Sequence, residues 1–439
     1  MEPYRLTLSQ ASRMIHEGSL TSIELLESLL ERITELEPTL EAWVTVEKKK
    51  ALSAAKELTK EADEGRFKGL LHGIPVGVKD IFYTKGTRTT MGSAIFNDFV
   101  PSYDAEIVSS LKSSGAIILG KTETTEFALH DPAPTRNPWN TQHTPGGSSS
   151  GSASAVSSGM VPLALGSQTG GSIVRPASYC GVVGFKGTYD LLSRVGVFPL
   201  SWSLDHVGFM TRTVSDAIIT LKTLRPDLEI EESIVVPKIG LLSEYFKENA
   251  EDEVWPGFER VVGTLWGEGA TFMNVELPES FGLVQDVHRV IMSVEAAAVH
   301  EDTFREKNEK YGEYIRGFIS SGLLVPATAY LRAQRLRGLI IKDIVQLLKD
   351  YDCFACPSTK DTAPLGLEWT GSPAFNVPWS LTGLPSVTIP SGLSKDGMPL
   401  GLQLIGKPKE DMKLLRVADW CMKRINFPTE PKEPYSPMP

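Results

Sequence analysis

The sequence of 439 residues is short of cysteine, of positive charge and of long hydrophobic runs. Its four cysteines are too few for a disulfide framework. No stretch approaches the length of a membrane span, and no apolar segment follows Met1 as it would in a secretory signal peptide. A net charge of -10 argues against a nucleic-acid surface, because phosphates bind to a concentrated positive field. These absences predict a cytoplasmic protein that binds neither nucleic acid nor a membrane.

The chain has the composition of a soluble globular protein, with 41% hydrophobic and 22% charged residues. Its length allows two or three domains or one large α/β domain. Capping boxes at Thr7 and Thr21 predict two N-terminal helices, and the second is expected to end before Pro38. Residues 280–350 are predicted to be mostly helical, and residues 427–439, rich in proline, to be extended.

Cys353 and Cys356 have the spacing of a redox motif or of half a zinc site. No second cysteine pair or histidine pair completes a tetrahedral site in the sequence. The apolar residues around them instead favour a buried strand, in which cysteine serves as a small hydrophobic residue.

Residues 115–122 match the phosphate-binding P-loop pattern G-x-x-x-x-G-K-[ST]. A P-loop must curl so that its amides face the phosphates, whereas the sequence AIIL in its middle favours a buried strand. We therefore predict a strand here, and interpret Lys121 as an ordinary loop residue after it.

Residues 146–176 contain the most informative pattern of the chain, GGSSSGSASAVSSGMVPLALGSQTGGSIVRP. Two Gly-Gly-Ser triplets border a segment of small residues, and glycine lets the main chain come close to a ligand. Within it, apolar residues recur at steps of three and four and predict a short helix, namely Ala153, Val156, Met160 and Leu163. This pattern favours a functional loop over a flexible Gly/Ser linker.

Residues 147–151 also match G-x-S-x-G, which would make Ser149 the nucleophile of an α/β-hydrolase. That motif requires a hydrophobic strand directly before the turn. Residues 135–145 contain two prolines and no alternation, and so predict an irregular loop. The surrounding sequence therefore does not support this interpretation.

The segments GGSSSGSASAVSSG, GSQTGGSI and PASYCGVVGFK, together with GIPVGVKDIF at residues 73–82, resemble the amidase signature family of serine hydrolases. The resemblance implies a catalytic triad of Lys79, Ser148 in a cis peptide with Gly147, and the nucleophile Ser172. It further implies an oxyanion hole of backbone amides around Thr169, Gly170 and Gly171, and neither a metal nor a cofactor.

The fold implied by this resemblance is a single α/β domain over residues 1–439, with a mixed twisted β-sheet covered by helices on both faces. We divide it into an N-terminal helical segment (1–65), a signature core with the catalytic residues (66–210), a region of further α/β structure and cavity-framing helices (211–426) and a tail (427–439).

Lys79 would have to be neutral to serve as a base. Taken alone, a lysine after Val76 and Val78 is more often a surface residue or a partner for Asp80. Its apolar neighbours make burial possible, and desolvation can lower a lysine pKa by the roughly three units required, at about 4 kcal/mol.

Two departures from the common family pattern concern substrate binding. Gln168 stands where many members have aspartate, and Val174 precedes Arg175. An arginine here resembles the malonamidase-like members that act on small acidic amides, where it would hold a substrate carboxylate. A structural salt bridge of Arg175 is the alternative. Ser149 would assist the relay by hydrogen bonding or cap the following helix.

The predicted function is hydrolysis of a carboxylic amide to an acid and ammonia or an amine, through an acyl-enzyme on Ser172. We expect a small amide substrate that is polar or carries a carboxylate, bound by Arg175, Ser149 and Gln168. Two alternatives stay open: the glutaminase-type subunit of a tRNA-dependent amidotransferase, and a non-enzymatic binding protein. The sequence leaves the oligomeric state open, a homodimer included.

Overall fold

One mixed β-sheet organises the molecule. The structure is a computed structural model that describes residues 2–229, 236–251, 253–428 and 431. Within these residues the strands are β1 (Trp43–Val46), β2 (Pro75–Lys79), β3 (Ile117–Thr122), β4 (Leu163–Gln168), β5 (Val183–Lys186), β6 (His206–Thr211), β7 (Lys238–Leu241), β8 (Thr271–Asn274), β9 (Cys353–Pro357), β10 (Ser386–Leu393) and β11 (Pro399–Gly406). Their order across the sheet is β1-β3-β2-β4-β6-β5-β10-β11-β9-β7-β8.

Helices cover this sheet and join its strands. In chain order they are α1 (Leu8–His16), α2 (Ser22–Leu40), α3 (Lys48–Asp63), α4 (Glu106–Ser113), α5 (Ser150–Ser157), α6 (Val174–Tyr179), α7 (Val214–Leu224), α8 (Glu244–Asn249), α9 (Val254–Gly267), α10 (Val284–Lys307), α11 (Glu313–Leu323), α12 (Ala327–Leu348), α13 (Val377–Leu381) and α14 (Asp411–Met422). The capping boxes predicted at Thr7 and Thr21 are present at the starts of α1 and α2.

Alternating side chains of the strands point to opposite faces of the sheet, and each face has its own core. On β4, Leu163 and Leu165 pack in the cluster that includes α1, α7 and α14, whereas Ala164 packs in the cluster with α2, α3 and α5. The predicted single α/β domain with helices on both faces is therefore confirmed.

The parallel strands β3, β2 and β4 determine where the candidate active site lies. β2 lies between β3 and β4 and is parallel to both, with Lys79 paired to Thr122 and Val78 paired to Leu165. Carboxyl ends of parallel strands meet at one edge of a sheet, where ligands commonly bind. Lys79 at the end of β2 therefore lies beside the loop that follows Gln168.

Helix α2 does not end before Pro38, as its sequence predicted, but continues to Leu40. Leu36 and Leu40 are buried on its inner face, so packing of the last turn outweighs the hydrogen bond that proline cannot make. Glu41, the residue that follows the helix, adopts a left-handed conformation with φ of 46°.

The helix predicted from Ala153 to Leu163 is also shorter than expected. α5 ends at Ser157, and Gly159 follows with φ of 76°, a conformation that ends helices and that glycine adopts without strain. Leu163 instead begins β4, which the sequence analysis did not predict as a strand.

The strand predicted within the P-loop-like segment is confirmed as β3, but the interpretation of Lys121 was wrong. Lys121 lies inside this strand, completely buried, because an ion pair with Asp80 (Nζ to Oδ1, 3.4 Å) compensates part of its desolvation.

The predicted strand at Cys353 and Cys356 is confirmed as β9, and all four cysteines are free and buried. Within the described part of the chain, no helix is both long enough and apolar enough to cross a bilayer. The prediction for the tail falls largely outside the described residues.

Candidate active site

Lys79 is a buried amine surrounded by hydroxyl groups. Its Nζ lies 2.7 Å from Ser148 Oγ and 2.9 Å from Ser167 Oγ. Among the described residues, no carboxylate forms an ion pair with it. Burial holds the pKa of Lys79 well below its usual value, and the charge of Asp205 opposes this shift only in part. The arrangement therefore favours a neutral amine, which can accept a proton.

Ser148 follows the predicted cis peptide bond, which the structure contains between Gly147 and Ser148. The carbonyl oxygen of Ser148 accepts a hydrogen bond from Thr125 N (3.2 Å), and that of Gly147 accepts one from Arg175 Nη2 (2.6 Å). Main-chain contacts on both sides thus hold the Ser148 hydroxyl against Lys79.

Ser172 lies at the wall of a cavity of about 410 Å³, which we call the catalytic cavity. The loop that follows β4 supplies one side of this cavity, and α10 supplies another. Its lining includes Leu129, Gly171, Ser172, His288, Met292 and Val377. Ser172 itself is 8% exposed, which leaves a polar group accessible at the end of a mainly apolar pocket.

Three peptide groups next to Ser172 are held in fixed orientations. The carbonyl of Thr169 accepts from His288 Nε2 (2.9 Å), that of Gly170 from Ser380 Oγ (2.7 Å), and that of Gly171 from Arg175 N (2.9 Å). In a trans peptide the following N–H points the opposite way. The N–H groups of Gly170, Gly171 and Ser172 donate to no acceptor among the described residues, and all three residues line the catalytic cavity.

The close packing around Gly171 explains why glycine is found there. A Cβ atom on Gly171 would lie 2.5 Å from Asn376 Oδ1, closer than real contacts allow. A side chain at this position would therefore displace the loop that carries Ser172.

Gln168 lies beneath this loop rather than in the cavity wall. Its Oε1 accepts hydrogen bonds from Ile173 N (2.9 Å) and Val174 N (3.0 Å), and its Nε2 donates to Ser380 Oγ (3.1 Å). The amide group thus ties the residues on both sides of Ser172 together, and it is fully buried.

Ser149 occupies the N-cap position of α5, but its hydroxyl does not cap the helix. The hydroxyl donates to the carbonyl of Ser167 (3.3 Å), and the Ser149 N–H donates to the carbonyl of Ser172 (3.3 Å). Ser149 therefore connects the loop of Ser148 with the loop of Ser172.

Arg175 is completely buried, and its guanidinium group donates to protein oxygens. Nη1 donates to the carbonyl of Gly371 (2.6 Å), and Nη2 donates to the carbonyl of Gly147 and to Thr370 Oγ1. The side chain also borders the catalytic cavity. The predicted salt bridge is not present within the described residues: main-chain carbonyls accept from both terminal nitrogens, whereas the buried Nε has no hydrogen-bond partner there.

The sequence analysis did not identify Ser167, Asp205 or Arg289. Ser167 contacts Lys79, and Asp205 accepts a hydrogen bond from Thr169 Oγ1 (2.6 Å). Burial raises the pKa of Asp205 to about 6. Arg289 is an exposed residue of α10 at the cavity and pairs with no described residue. Alternation along β4 could have indicated Ser167, but no local pattern indicates the other two.

The cavity histidines are not suited to act as the base. Burial lowers the pKa of His288 and of His130 to about 4. His288 also donates its Nε2 proton to the carbonyl of Thr169. Both groups are therefore neutral and poor proton acceptors near pH 7, which leaves Lys79, in contact with Ser148, as the candidate base.

Comparisons with known proteins agree with this site. The family model "Amidase" matches residues 24–415. A glutamyl-tRNA(Gln) amidotransferase subunit from Geotalea daltonii is 35% identical over 484 aligned positions, covering 97% of this chain and 99% of that protein. A crystal structure described as an amidase has a TM-score of 0.90 at 32% identity, with 96% of this chain and 100% of that one covered.

A peptide amidase from Stenotrophomonas maltophilia has a TM-score of 0.82 at 27% identity, with 99% of each chain covered. Fold, site and relatives together define an α/β enzyme that hydrolyses amides. The chain belongs to the amidase signature family.

Proposed function

We propose that the protein hydrolyses a small amide through an acyl-enzyme on Ser172. Ser172 Oγ attacks the carbonyl carbon of the substrate while its proton passes to Ser148, and the Ser148 proton passes to neutral Lys79. The N–H groups of Gly170, Gly171 and Ser172 stabilise the negative oxygen of the tetrahedral intermediate, each donor typically contributing about 3 kcal/mol.

The relay then runs in reverse. The C–N bond breaks as the leaving nitrogen takes a proton from Ser148, which is reprotonated by Lys79. Water attacks the acyl-enzyme by the same route, and release of the acid restores Ser172. Every proton taken up by Lys79 is returned within the same half-reaction.

The contact of 2.7 Å between Lys79 Nζ and Ser148 Oγ carries this proposal. It joins a buried amine of lowered pKa to a hydroxyl on the loop that Ser149 ties to Ser172. Such a lysine can act as a base near neutral pH, whereas an exposed lysine is protonated there.

A turnover screen tests the proposal. Aliphatic, aryl, ureido and dicarboxylic monoamides are incubated with the protein, with Ser172→Ala as the blank. We expect hydrolysis of at least one class that Ser172→Ala abolishes, and labelling of Ser172 by a serine-directed phosphonate. Absence of both would support a non-enzymatic binding protein instead.

We further propose that the preferred acyl group is small and polar or carries a carboxylate. The guanidinium of Arg289 at the catalytic cavity, unpaired within the described part of the chain, supports this, because a carboxylate is its natural bidentate partner. Arg175 borders the same cavity, but both of its terminal nitrogens already donate to main-chain carbonyls. We expect Arg289→Gln to lower kcat/KM for dicarboxylic monoamides relative to neutral amides, and Arg175→Lys to lower both classes together.

A second candidate function is that of the glutaminase component of a tRNA-dependent amidotransferase, and the curated relatives support it. The alignment with the Geotalea protein spans 484 positions, more than the 439 residues of this chain, so that relative has segments without a counterpart here. Glutaminase activity together with co-purification of further subunits would favour this function. Turnover of other amides by the isolated chain would favour the amidase.

A further inference from the structure

A second chamber of about 240 Å³ lies next to the catalytic cavity. Residues 194–207 form most of it, with Ser167 and Asp205 at its polar side and Val197, Phe198 and Trp202 among its apolar residues. We call it the second chamber. Ala128, Thr169 and Leu200 border both spaces, so the two meet at the loop that leads to Ser172.

The two spaces differ in the groups that they offer to a bound amide. The catalytic cavity contains Ser172 and the available N–H groups of Gly170 and Gly171, which suit the attacked carbonyl. The second chamber contains Ser167, whose hydroxyl lies 2.9 Å from Lys79 Nζ. Lys79 in turn contacts Ser148, which must reach the leaving nitrogen to protonate it. Through Ser167, the second chamber therefore lies on the side of Lys79, the group that would return the proton to the leaving nitrogen.

We propose that the second chamber binds the amine half of the scissile amide, and that the enzyme accepts secondary amides of small apolar amines, up to the size of an anilide. This rests on the acyl-enzyme mechanism proposed above. The acyl half occupies the catalytic cavity, and the scissile bond lies beside Thr169, between the two spaces.

The size and the lining residues of the second chamber determine which amines it can bind. A cavity of roughly 150 Å³ holds benzene in a well-studied apolar site, so a chamber of about 240 Å³ accommodates an aromatic amine. Asp205 faces the chamber, where Thr169 Oγ1, Leu200 N and Ser201 N all donate to its carboxylate. Arg194 also lines the chamber and partly offsets the negative charge of Asp205, so the apolar residues of the chamber, rather than a charge, select a neutral amine such as aniline.

The bonds, electrons and protons of the acylation step are all accounted for by the substrate and the enzyme, so no further reagent is needed. The bond between Ser172 Oγ and the acyl carbon forms, and the bond from that carbon to nitrogen breaks. The electron pair of the broken bond stays on nitrogen, which takes the proton that Ser172 gave up, by way of Ser148 and Lys79. The amine is released neutral from the acyl carbon and then leaves through the second chamber.

The test compares amines on a fixed acyl group, the one that the screen above turns over best. The probes are its primary amide, its N-methylamide and its anilide. Val197→Trp narrows the second chamber, and Trp202→Ala removes a half-exposed ring from it. Leu331→Trp, on the exposed surface of α12, is the matched control.

We expect wild-type protein to hydrolyse all three probes. Val197→Trp should lower the ratio of kcat/KM for the anilide to that for the primary amide by about tenfold, because steric exclusion of a few carbon atoms has effects of this size. Trp202→Ala should raise this ratio, because it widens the chamber for the aromatic ring, and Leu331→Trp should leave it unchanged. If Val197→Trp fails to fold, Trp202→Ala still tests the proposal.

Two results would overturn the inference. One is Ser172-dependent hydrolysis of the primary amide without any turnover of the N-methylamide and the anilide. The other is an unchanged anilide ratio in both chamber variants. Either would leave the proposed amidase function standing, whereas failure to hydrolyse any amide would contradict that function itself.

Discussion

Two buried lysines on adjacent strands differ in the groups that surround their amines. Lys79 ends β2 and Lys121 lies in β3, and both are completely buried. Nζ of Lys121 donates to the carbonyl of Phe82 (2.5 Å) and to Thr89 Oγ1 (2.9 Å), and it pairs with Asp80. Nζ of Lys79 contacts the hydroxyls of Ser148 and Ser167.

The partners account for the different protonation of the two amines. Burial lowers the pKa of Lys121 to about 8, because the nearby Asp80 offsets part of the shift. Lys79 has no paired carboxylate among the described residues, and burial lowers its pKa well below the usual value. At neutral pH, Lys121 is therefore mostly charged, whereas Lys79 can be neutral and available to Ser148.

The largest expected effect is on turnover after Lys79→Met. We expect kcat to fall by about 10⁴-fold, the upper end of what a general base contributes, and Ser172→Ala to lower it by at least as much. Assays of the best substrate measure both. A residual activity within about tenfold of wild type in Lys79→Met would remove the distinction between the two lysines.

Lys121→Met should act on stability instead. Removing one partner of a buried ion pair leaves Asp80 without compensation and costs about 3–5 kcal/mol. Lys79→Met should cost less, about 1–3 kcal/mol, since it leaves two hydroxyls rather than a charge without a partner. Denaturant unfolding measures both variants.

The double variant Asp80→Asn/Lys121→Met is the control for this comparison. It should recover part of the lost stability, because no buried charge remains unpaired. If Lys121→Met were no less stable than Lys79→Met, the ion pair would not be what distinguishes the two sites.

Substitutions of the hydroxyl partners give a smaller contrast. Ser167→Ala removes one contact of the catalytic amine, and we expect kcat to fall by about tenfold, an energy typical of one hydrogen bond. Thr89→Val removes the matching contact of Lys121 and should cost about 1 kcal/mol of stability with turnover retained. An equal fall in kcat in Ser167→Ala and Thr89→Val would contradict the separate roles of Lys79 and Lys121.

The smallest effect concerns pH. The charge of Asp205 raises the pKa of Lys79, so Asp205→Asn should lower that pKa further. Lys79 then stays neutral to a lower pH, and the acidic limb of kcat/KM should move to lower pH, by about one unit or less. A shift to higher pH would show that Asp205 affects the site in another way.

The sequence was sufficient for the fold class, and the roles predicted for Lys79, Ser148 and Ser172 stay predictions. The Gly-Gly-Ser triplets and the lysine after a hydrophobic strand resemble a known signature, and the structure brings Lys79 against Ser148. Lys121 shows the limit of this reasoning. Its local sequence resembles a strand that ends in a loop, and its burial depends on Asp80, 41 residues earlier in the chain.

The substrate-binding predictions were limited for a similar reason. Arg175 and Gln168 were predicted to bind substrate from the family pattern, but each also makes a hydrogen bond to a residue about 200 positions away in the chain, Gly371 and Ser380 respectively. Arg289 and Asp205 lie at the two spaces through tertiary packing alone. No periodicity or residue spacing in the sequence indicates these tertiary positions.

The pH dependence of Ser172 phosphonylation, in wild type and in Lys79→Met, tests the central claim most directly. Labelling depends on activation of the nucleophile and does not require a known substrate. We expect the wild-type rate to fall on acidification with a single ionisation below the usual lysine range, and labelling of Lys79→Met to be slow at every pH. Equal labelling rates in the two proteins would contradict a neutral Lys79 acting through Ser148 on Ser172.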